Sequence, residues 1–261
     1  MLELSDVSRQ FGGLQALSGV NMQIQPGKVT GLIGPNGAGK TTLINCISGL
    51  DHPTSGRIRF ADHDITHTHP YQITQLGIAR TYQNIRLFGE MSALDNLLIS
   101  QHGRGQATIF DALIFSRRYR REEQQLRANA HALLDRFNLN AVAEVQAGTL
   151  PYGDQRRLEM ARALAIQPSL ILLDEPTAGM NPVETHELGE QIIRLRSDGL
   201  SVLVIEHDMA LIQQVCDDIY VLSFGQMIAH GTHDEIRHNP QVIEAYLGKD
   251  ESDAGEAHAT A

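Results

Sequence analysis

The chain has 261 residues, and its 42% hydrophobic content is enough for a sizeable core in one α/β domain with an inserted subdomain. Its 21 lysines and arginines against 31 aspartates and glutamates leave a net charge of −10, which argues against nucleic acid as a partner. The two cysteines lack metal or redox spacing, and neither a membrane-spanning run nor a signal-peptide pattern is visible, so we expect a soluble cytoplasmic chain that reaches a membrane only through a partner.

The first 28 residues alternate between apolar and polar side chains, which is typical of half-buried antiparallel strands. A further alternating segment at 57–60 would complete a small antiparallel sheet. Phe11 precedes Gly12 and Gly13 and is predicted to lie in the loop between the first two strands. From these residues alone, Phe11 is explained equally well as a core aromatic or as a binding residue.

The apolar run 29–33 leads into Gly34-Pro35-Asn36-Gly37-Ala38-Gly39-Lys40-Thr41, which has the form G-x-x-x-x-G-K-[ST]. A strand, a glycine-rich turn and a helix in this order cradle phosphate groups, because backbone N–H groups and the helix N-terminus point at the anion. In such a loop Lys40 reaches the β- and γ-phosphates, and the Thr41 hydroxyl binds Mg²⁺. With Thr42 in the first helical turn, this segment is predicted to bind a nucleoside triphosphate.

The next segments carry fewer signals. His63, His67 and His69 lie close together, but no cysteine or glutamate-bearing ligand helix is nearby, so a polar surface loop is predicted rather than a metal site. Residues 78–82 are predicted to form a short strand that is followed by Gln83.

Residues 84 to about 150 differ from the pattern around them and are predicted to form a helical insertion. Ser92 to Asp95 has the S-x-x-D form of a helix start. A second helix places a row of apolar residues on one face: Leu126, Ala130, Leu133, Leu134 and Phe137. The four arginines and one tyrosine at 117–121 precede two glutamates and indicate a solvated helix face, with contact to anionic lipid or a membrane partner as the alternative.

Beyond residue 154, helices alternate with continuous apolar runs, as expected for parallel strands that are covered on both faces. The strands are predicted at 170–173, 202–205 and 219–222, the helices at 155–166 and 184–197, and a hairpin at 224–227. The acidic segment 249–261 has no apolar periodicity and is predicted to be a disordered tail.

Two acids close the first of these strands, at the carboxyl edge where open parallel sheets bind ligands. Asp174 is predicted to hold Mg²⁺ from the side opposite the phosphates. Glu175 is predicted to orient and deprotonate the attacking water, with a dipole-stabilised acid at a helix N-terminus as the alternative. His207 ends the next apolar strand and is a candidate contact to the γ-phosphate.

Taken in order, these motifs resemble the ATP-binding cassette (ABC) ATPases. The matching pieces are the phosphate loop at 34–41, Gln83, Leu150–Gln155, Leu172–Pro176, Gly179–Asn181 and His207. The resemblance implies a P-loop NTPase core with a mostly parallel sheet, an N-terminal antiparallel β subdomain and a helical insertion at about 88–150, all within one domain at 1–248. It also implies that Gln83 contacts Mg²⁺ and the attacking water, that Phe11 stacks on the adenine, and that two subunits close head to tail over ATP.

The signature departs from the usual L-S-G-G-Q of this family. Pro151 stands at the serine and Tyr152 at the first glycine, so the serine hydroxyl is absent, and proline has no backbone N–H. Gly153 and the helix N-terminus remain as anion donors, although Asp154 places an acid beside them. We therefore expect the ATP site completed by this signature to be the weaker of two, which predicts an asymmetric heterodimer.

A narrower resemblance rests on Phe88–Ser92, Tyr152–Glu159, Ile205–Met209 and Asn239–Gly248. Together they are similar to the ATPase subunits of bacterial branched-chain amino acid importers. This implies ATP and Mg²⁺ as cofactors, a second ATPase, two transmembrane permease subunits and a periplasmic or extracellular solute-binding protein as partners, and a place on the inner face of the cell membrane.

Three alternatives to that function stay open. Importers of urea or short amides have similar ATPases. A soluble ABC ATPase without a transport role is disfavoured by the single phosphate loop and the lack of sustained heptads. A P-loop kinase would need neither the residues at 150–155 nor His207.

Overall fold

The computed structural model describes residues 1–101 and 117–247. It divides into two compact units, the first built from Met1–Ile73 and the chain from Leu172 onward, the second from Thr74–Ile171. The tail predicted at 249–261 lies outside the described residues, as does the part of the predicted insertion at 102–116.

The strands are β1 (Leu2–Phe11), β2 (Leu14–Ile24), β3 (Val29–Ile33), β4 (Ser55–Phe60), β5 (His63–Asp64), β6 (Ile78–Arg80), β7 (Leu170–Asp174), β8 (Ser201–Ile205), β9 (Asp218–Ser223) and β10 (Gln226–Gly231). The α-helices are α1 (Lys40–Ile47), α2 (Pro70–Leu76), α3 (Ala93–Gln101), α4 (Arg117–Arg136), α5 (Tyr152–Ala165), α6 (Pro182–Ser197), α7 (Met209–Val215), α8 (His233–Arg237) and α9 (Pro240–Leu247). Short 3₁₀ turns lie at Asn140–Val142 and Ala147–Thr149. None of these described helices combines the length and apolar character that a bilayer crossing demands.

The N-terminal strands form the predicted antiparallel sheet, in the order β2-β1-β4-β5. Leu2 and Leu4 are buried, whereas Glu3 and Ser5 are exposed, so the predicted alternation is confirmed. A bulge at Asp6, whose φ is +51°, shifts the register and returns Val7 to the buried face. The predicted segment 57–60 lies in β4 and pairs with β1.

In the first unit a second, largely parallel sheet has the strand order β10-β9-β3-β8-β7. β3 lies between β8 and β9 and is parallel to both, with Leu32 opposite Ile205 and Ile33 opposite Val221. Every residue of β3, β7 and β8 is buried, which explains why these strands show continuous apolar runs instead of alternation. β9 and β10 form the predicted hairpin.

In the second unit, helices α3, α4 and α5 pack against one another. The Ser92 hydroxyl accepts a hydrogen bond from the Asp95 N–H at 3.0 Å, so the predicted helix start is confirmed. Ala130, Leu134 and Phe137 are buried, as their spacing predicts. Arg118, Arg120 and Arg121 in α4 are exposed, which agrees with a solvated face. β6 adjoins the start of β7 in the strand order.

Two helices begin earlier than predicted because their N-cap residues lie outside the apolar pattern. Pro151, with φ −53° and ψ 149°, is the N-cap of α5, and the helix therefore starts at Tyr152. Asn181 and Glu184 form a capping box at the start of α6, with Pro182 in the first turn.

The three histidines of the polar segment are exposed. His63 lies in β5 rather than in a loop, whereas His67 and His69 lie beyond it. Within the described part of the chain, no cluster of three or more metal-type side chains is arranged to hold an ion.

Candidate nucleotide-binding site

The phosphate loop connects β3 to α1 at the carboxyl edge of the parallel sheet. Two of its glycines are required by close neighbours. A Cβ at Gly34 would lie 2.0 Å from the Leu222 carbonyl oxygen, and a Cβ at Gly39, whose φ is +106°, would lie 2.7 Å from the Ala16 carbonyl oxygen. The sequence therefore lets the loop sit tightly between β2 and β9.

The start of α1 suits an anion. Gly39 provides no side-chain cap, and the first turn contains no acidic residue. The first N–H groups of an α-helix have no acceptor inside the helix, and the helix dipole is positive at this end. A phosphate group would satisfy both features at once.

Lys40 holds a largely buried positive charge within this loop. Its side chain is only 9% exposed, and its ammonium group donates to the carbonyl oxygens of Gly34 at 2.6 Å and Pro35 at 3.0 Å. A phosphate bound here would accept a charge-assisted hydrogen bond from the Lys40 ammonium. The residues present therefore fit a phosphate ligand.

The loop opens into a cavity of about 420 Å³, within the ~300–1,000 Å³ that is usual for ligand pockets. Its lining consists of Phe11, Leu14, Gln15, Ala16, residues 36–42, Glu175, Phe224 and Gly225. The structure thus brings together the predicted phosphate loop, the predicted adenine contact and the predicted catalytic acid. Leu14, Gln15, Ala16, Phe224 and Gly225 did not stand out in the sequence, because they reach the cavity only through the packing of two hairpins.

The two predicted acids lie at the end of β7. Asp174 is the last residue of that buried strand. Glu175 follows with φ +47°, and its N–H donates to the Ile205 carbonyl at 2.9 Å. Of the two acids, Glu175 lines the cavity and Asp174 does not. Because α6 begins only at Pro182, Glu175 does not occupy the helix start that the alternative interpretation required.

The segment after β8 is organised by Glu206, a residue that sequence reasoning passed over. Its carboxylate is fully buried and accepts hydrogen bonds from the Thr177 N–H at 2.9 Å and from the Thr177 hydroxyl at 2.5 Å. It also accepts from the backbone N–H groups of His207 at 3.0 Å and Asp208 at 3.4 Å. Glu206 therefore joins the segment after β7 to the exposed His207. Its position directly after the buried strand β8 is the sequence signal that could have identified Glu206.

Gln83 belongs to the second unit, where α5 holds its backbone. Arg156 donates to the Tyr82 carbonyl at 2.7 Å and to the Gln83 carbonyl. Arg156 is buried and forms an ion pair with buried Glu159 at 3.1 Å. Burial raises the pKa of the Glu159 carboxyl, and the Arg86 N–H and the Arg156 guanidinium oppose that rise. The segment that carries Gln83 is thus fastened to the helix that follows the signature.

The signature residues form the first turn of the same helix. Gly153 lies in this turn, one residue after Tyr152, whose hydroxyl accepts from Arg156 Nε at 3.2 Å. Asp154 forms an ion pair with Arg157. The negative charge that we expected to weaken anion binding beside Gly153 is therefore partly neutralised within the helix.

The family described as ABC transporter matches residues 17–178, more than half of the chain. This chain belongs to the ABC transporter family of ATP-binding cassettes. The match spans the phosphate loop, Gln83, the signature and both acids at the end of β7. A second family, described as branched-chain amino acid ATP-binding cassette transporter, matches residues 226–252 of this ABC cassette.

Individual relatives extend over nearly the whole cassette. LivG of Escherichia coli, a high-affinity branched-chain amino acid transport ATP-binding protein, is 44% identical over 95% of this chain and 98% of its own. BraF of Pseudomonas aeruginosa, which carries the same description, has the same identity and coverage. The probable LivG of Methanocaldococcus jannaschii is 34% identical over 95% of this chain and 98% of its own.

Solved structures agree with this assignment. A nucleotide-free ATP-binding cassette of an ABC transporter superimposes with a TM-score of 0.81 and 34% identity, covering 94% of this chain and 98% of that one. The ADP conformation of such a cassette gives a TM-score of 0.82 and 33% identity, covering 95% and 98%. The predicted fold class, family and ATPase class of this ABC cassette are confirmed.

Proposed function

We propose that this ABC cassette binds ATP with Mg²⁺ and hydrolyses it to energise an importer of branched-chain, hydrophobic amino acids. The observation that carries the proposal is the single cavity that Phe11, the phosphate loop and Glu175 line together. The match of residues 226–252 to the branched-chain cassette family and the printed names of the relatives support the amino-acid substrate.

ATP binding is assigned to the loop and to the cavity mouth. The backbone N–H groups of residues 36–42 receive the phosphates, and the Lys40 ammonium exchanges its carbonyl acceptors for β- and γ-phosphate oxygens. Phe11 stacks on the adenine. The lack of an acid in the first turn of α1 supports this arrangement, since a carboxylate there would repel the phosphates.

The proposed Mg²⁺ ligands are oxygen donors, which is the chemistry that this ion prefers. They are the Thr41 hydroxyl and the Asp174 carboxylate, and the family resemblance adds the Gln83 side chain. When bound, the ion neutralises charge on the phosphates. Asp174 is held in place because it ends a strand whose residues are all buried.

Hydrolysis is assigned to Glu175 and His207. The Glu175 carboxylate orients a water molecule and removes its proton as the γ-phosphate is attacked. The exposed imidazole of His207 donates a hydrogen bond to a γ-phosphate oxygen, and the buried Glu206 fixes the backbone from which it projects. Gly153 of a partner subunit's signature would complete the phosphate contacts.

The proposed assembly places this subunit on the inner face of the cell membrane. Two transmembrane permease subunits bind it there, a second ABC ATPase pairs with it, and a periplasmic or extracellular solute-binding protein delivers the substrate. Membership of the ABC transporter family supports permease partners, whereas the second ATPase and the binding protein are inferred from the relatives.

The test is transport by the complete complex in proteoliposomes loaded with Mg-ATP. We expect ATP-dependent uptake of leucine, isoleucine and valine that is abolished when the cassette carries Lys40→Ala. Uptake of urea or short amides without uptake of leucine would establish the alternative importer class. A complex that hydrolyses ATP but moves none of these solutes would contradict the transport assignment.

A further inference from the structure

The hairpin between β9 and β10 breaks a rule of turn chemistry. Its two central residues are Phe224 and Gly225, and Ser223 pairs with Gln226 across the turn. Both central residues have positive φ, +45° for Phe224 and +75° for Gly225. Two-residue turns of this kind strongly favour Asn-Gly or Asp-Gly, because a bulky side chain is strained in the left-handed region. Phe224 occupies the position where asparagine is the usual choice.

The turn is fixed from both sides and cannot relax by shifting. The Gly225 N–H donates to the Ala38 carbonyl of the phosphate loop at 2.8 Å, and the Ser18 N–H of β2 donates to the Gly225 carbonyl at 2.8 Å. The backbone of this turn is therefore attached to the loop that is proposed to hold the phosphates. Strain that persists in such a fixed position is typical of functional sites.

Core packing does not account for the side chain. The Phe224 ring is 82% exposed and lines the cavity together with Phe11, which is 45% exposed. Leu14 is also exposed and lines the same cavity. The Arg9 guanidinium lies 4.4 Å from the centre of the Phe11 ring. The lining thus combines a polar phosphate loop with three exposed apolar side chains, of which Phe224 has the largest exposed fraction. A ligand with a charged end and a flat, largely apolar end matches this division.

We propose that Phe224 is a second aromatic contact for the nucleoside part of the bound nucleotide, in addition to Phe11. The inference rests on the proposed nucleotide binding. Aromatic contact with a base adds affinity without reading its hydrogen-bonding edge, because every base presents a π-face. Phe224 therefore strengthens the binding of ATP, ADP and GTP alike and contributes nothing to a ligand that consists of phosphates alone.

The decisive variant is Phe224→Asn, which removes the ring and supplies the residue that the turn prefers. We expect the thermal midpoint of the full chain to rise, while the affinity for ATP and ADP falls by about tenfold, the size of a lost stacking contact. Phe224→Ala should lower affinity similarly without the gain in stability, and Phe224→Trp should retain affinity. Opposite signs for stability and binding distinguish a ligand contact from a structural role.

Calorimetric titrations with ATP, ADP, GTP and tripolyphosphate complete the test. In Phe224→Asn, tripolyphosphate should bind as tightly as in the parent chain, whereas Lys40→Ala should lower the affinity for all four ligands. Loss of tripolyphosphate binding in Phe224→Asn would show that the ring acts through the phosphate loop and would overturn the inference. Unchanged ATP affinity in Phe224→Asn would also overturn the inference, even if that variant no longer showed ATP-dependent subunit association. Unchanged affinity in Lys40→Ala would instead refute the proposed nucleotide site.

Discussion

Glu175 occupies an unusual backbone position for an acid at the end of a buried strand. Its positive φ and the hydrogen bond from its N–H to the Ile205 carbonyl hold the residue independently of its carboxylate. The side chain lines the cavity beside Lys40 and Thr41. Replacing the carboxylate with an isosteric amide therefore changes the chemistry of the site and leaves this backbone hydrogen bond in place.

For Glu175→Gln we expect ATP binding to persist and kcat to fall by at least about 100-fold, the usual contribution of a general base. Single-turnover hydrolysis by the assembled complex, together with the Kd for ATP, measures both quantities. Glu187→Gln, at an exposed position on α6, is the matched control and should hydrolyse ATP normally. Normal turnover in Glu175→Gln would mean that the base is elsewhere.

The Glu206 carboxylate accepts four hydrogen bonds in a fully buried position. In Glu206→Gln one oxygen becomes an NH₂ group that faces donors, so we expect a loss of about 1–3 kcal/mol in the free energy of unfolding. Because His207 loses its support, kcat should also fall by roughly tenfold or more, with little change in the Kd for ATP. Urea denaturation and steady-state kinetics measure these effects.

A double-mutant cycle separates support of His207 from general destabilisation. If Glu206 acts through His207, adding His207→Ala to Glu206→Gln should lower kcat little beyond the effect of the stronger single variant. Additive losses would show that the two residues contribute independently. Equal losses in kcat and in ATP affinity would show that Glu206 serves only the fold.

At the scale of elements, α5 links two motifs of the second unit. Its first turn carries Gly153. Arg156, which lies three residues further on, donates hydrogen bonds to the carbonyls of Tyr82 and Gln83. A displacement of α5 would therefore also displace the segment that carries Gln83. The link depends on the forked guanidinium of Arg156, which donates hydrogen bonds to these two carbonyls and to the Glu159 carboxylate.

Arg156→Lys keeps the charge but loses the fork, so we expect faster amide hydrogen exchange at 81–86 and a loss of about 1–3 kcal/mol in unfolding free energy. Hydrogen exchange followed by mass spectrometry, with and without ATP, measures the first effect. Arg127→Lys, in an exposed ion pair with Glu123, is the control and should change neither quantity. Unaltered exchange in Arg156→Lys would show that other contacts hold the Gln83 segment.

The elements themselves were largely predictable. Continuous apolar runs located β7, β8 and β9 to within one residue at each end, and the phosphate-loop motif located β3 and α1. The starts of α5 and α6 were missed because Pro151 and Asn181 cap them from positions outside the apolar pattern. The bulge at Asp6 was missed because it depends on pairing with β2 and β4.

The site was predictable only where a motif is contiguous along the chain. Glu175 and the phosphate loop belong to short signatures with a chemical rationale, and the structure places them in one cavity. Phe224 and Glu206 depend on residues that are distant in sequence, Ala38 in one case and Thr177 in the other. Local patterns carry no information about such partners.

At the scale of the whole molecule, the altered signature predicts unequal ATP sites. Pro151 and Tyr152 supply neither the serine hydroxyl nor the glycine of the usual signature, although the Asp154–Arg157 pair softens the charge beside Gly153. We expect the purified chain alone to hydrolyse ATP several-fold more slowly than the complex with the proposed second ATPase. The double variant Pro151→Ser, Tyr152→Gly should narrow that gap.

Steady-state phosphate release at matched subunit concentrations measures both rates, with Glu175→Gln as the inactive reference. A homodimer of the purified chain that hydrolyses ATP as fast as the assembled complex would contradict the predicted heterodimer. A double variant with unchanged activity would show that the substitutions at the signature have no cost for hydrolysis.

The order of strands in the parallel sheet has a consequence for biosynthesis. β3 is a central strand, yet its neighbours are made late: Val29 pairs with Val202, and Thr30 pairs with Asp218. At roughly 5–20 residues per second, a ribosome needs on the order of ten seconds or more to deliver those partners. Throughout that interval the apolar β3 of a nascent chain lacks both of its native neighbours, so we expect this fully buried strand to be prone to aggregation until β8 and β9 have been made.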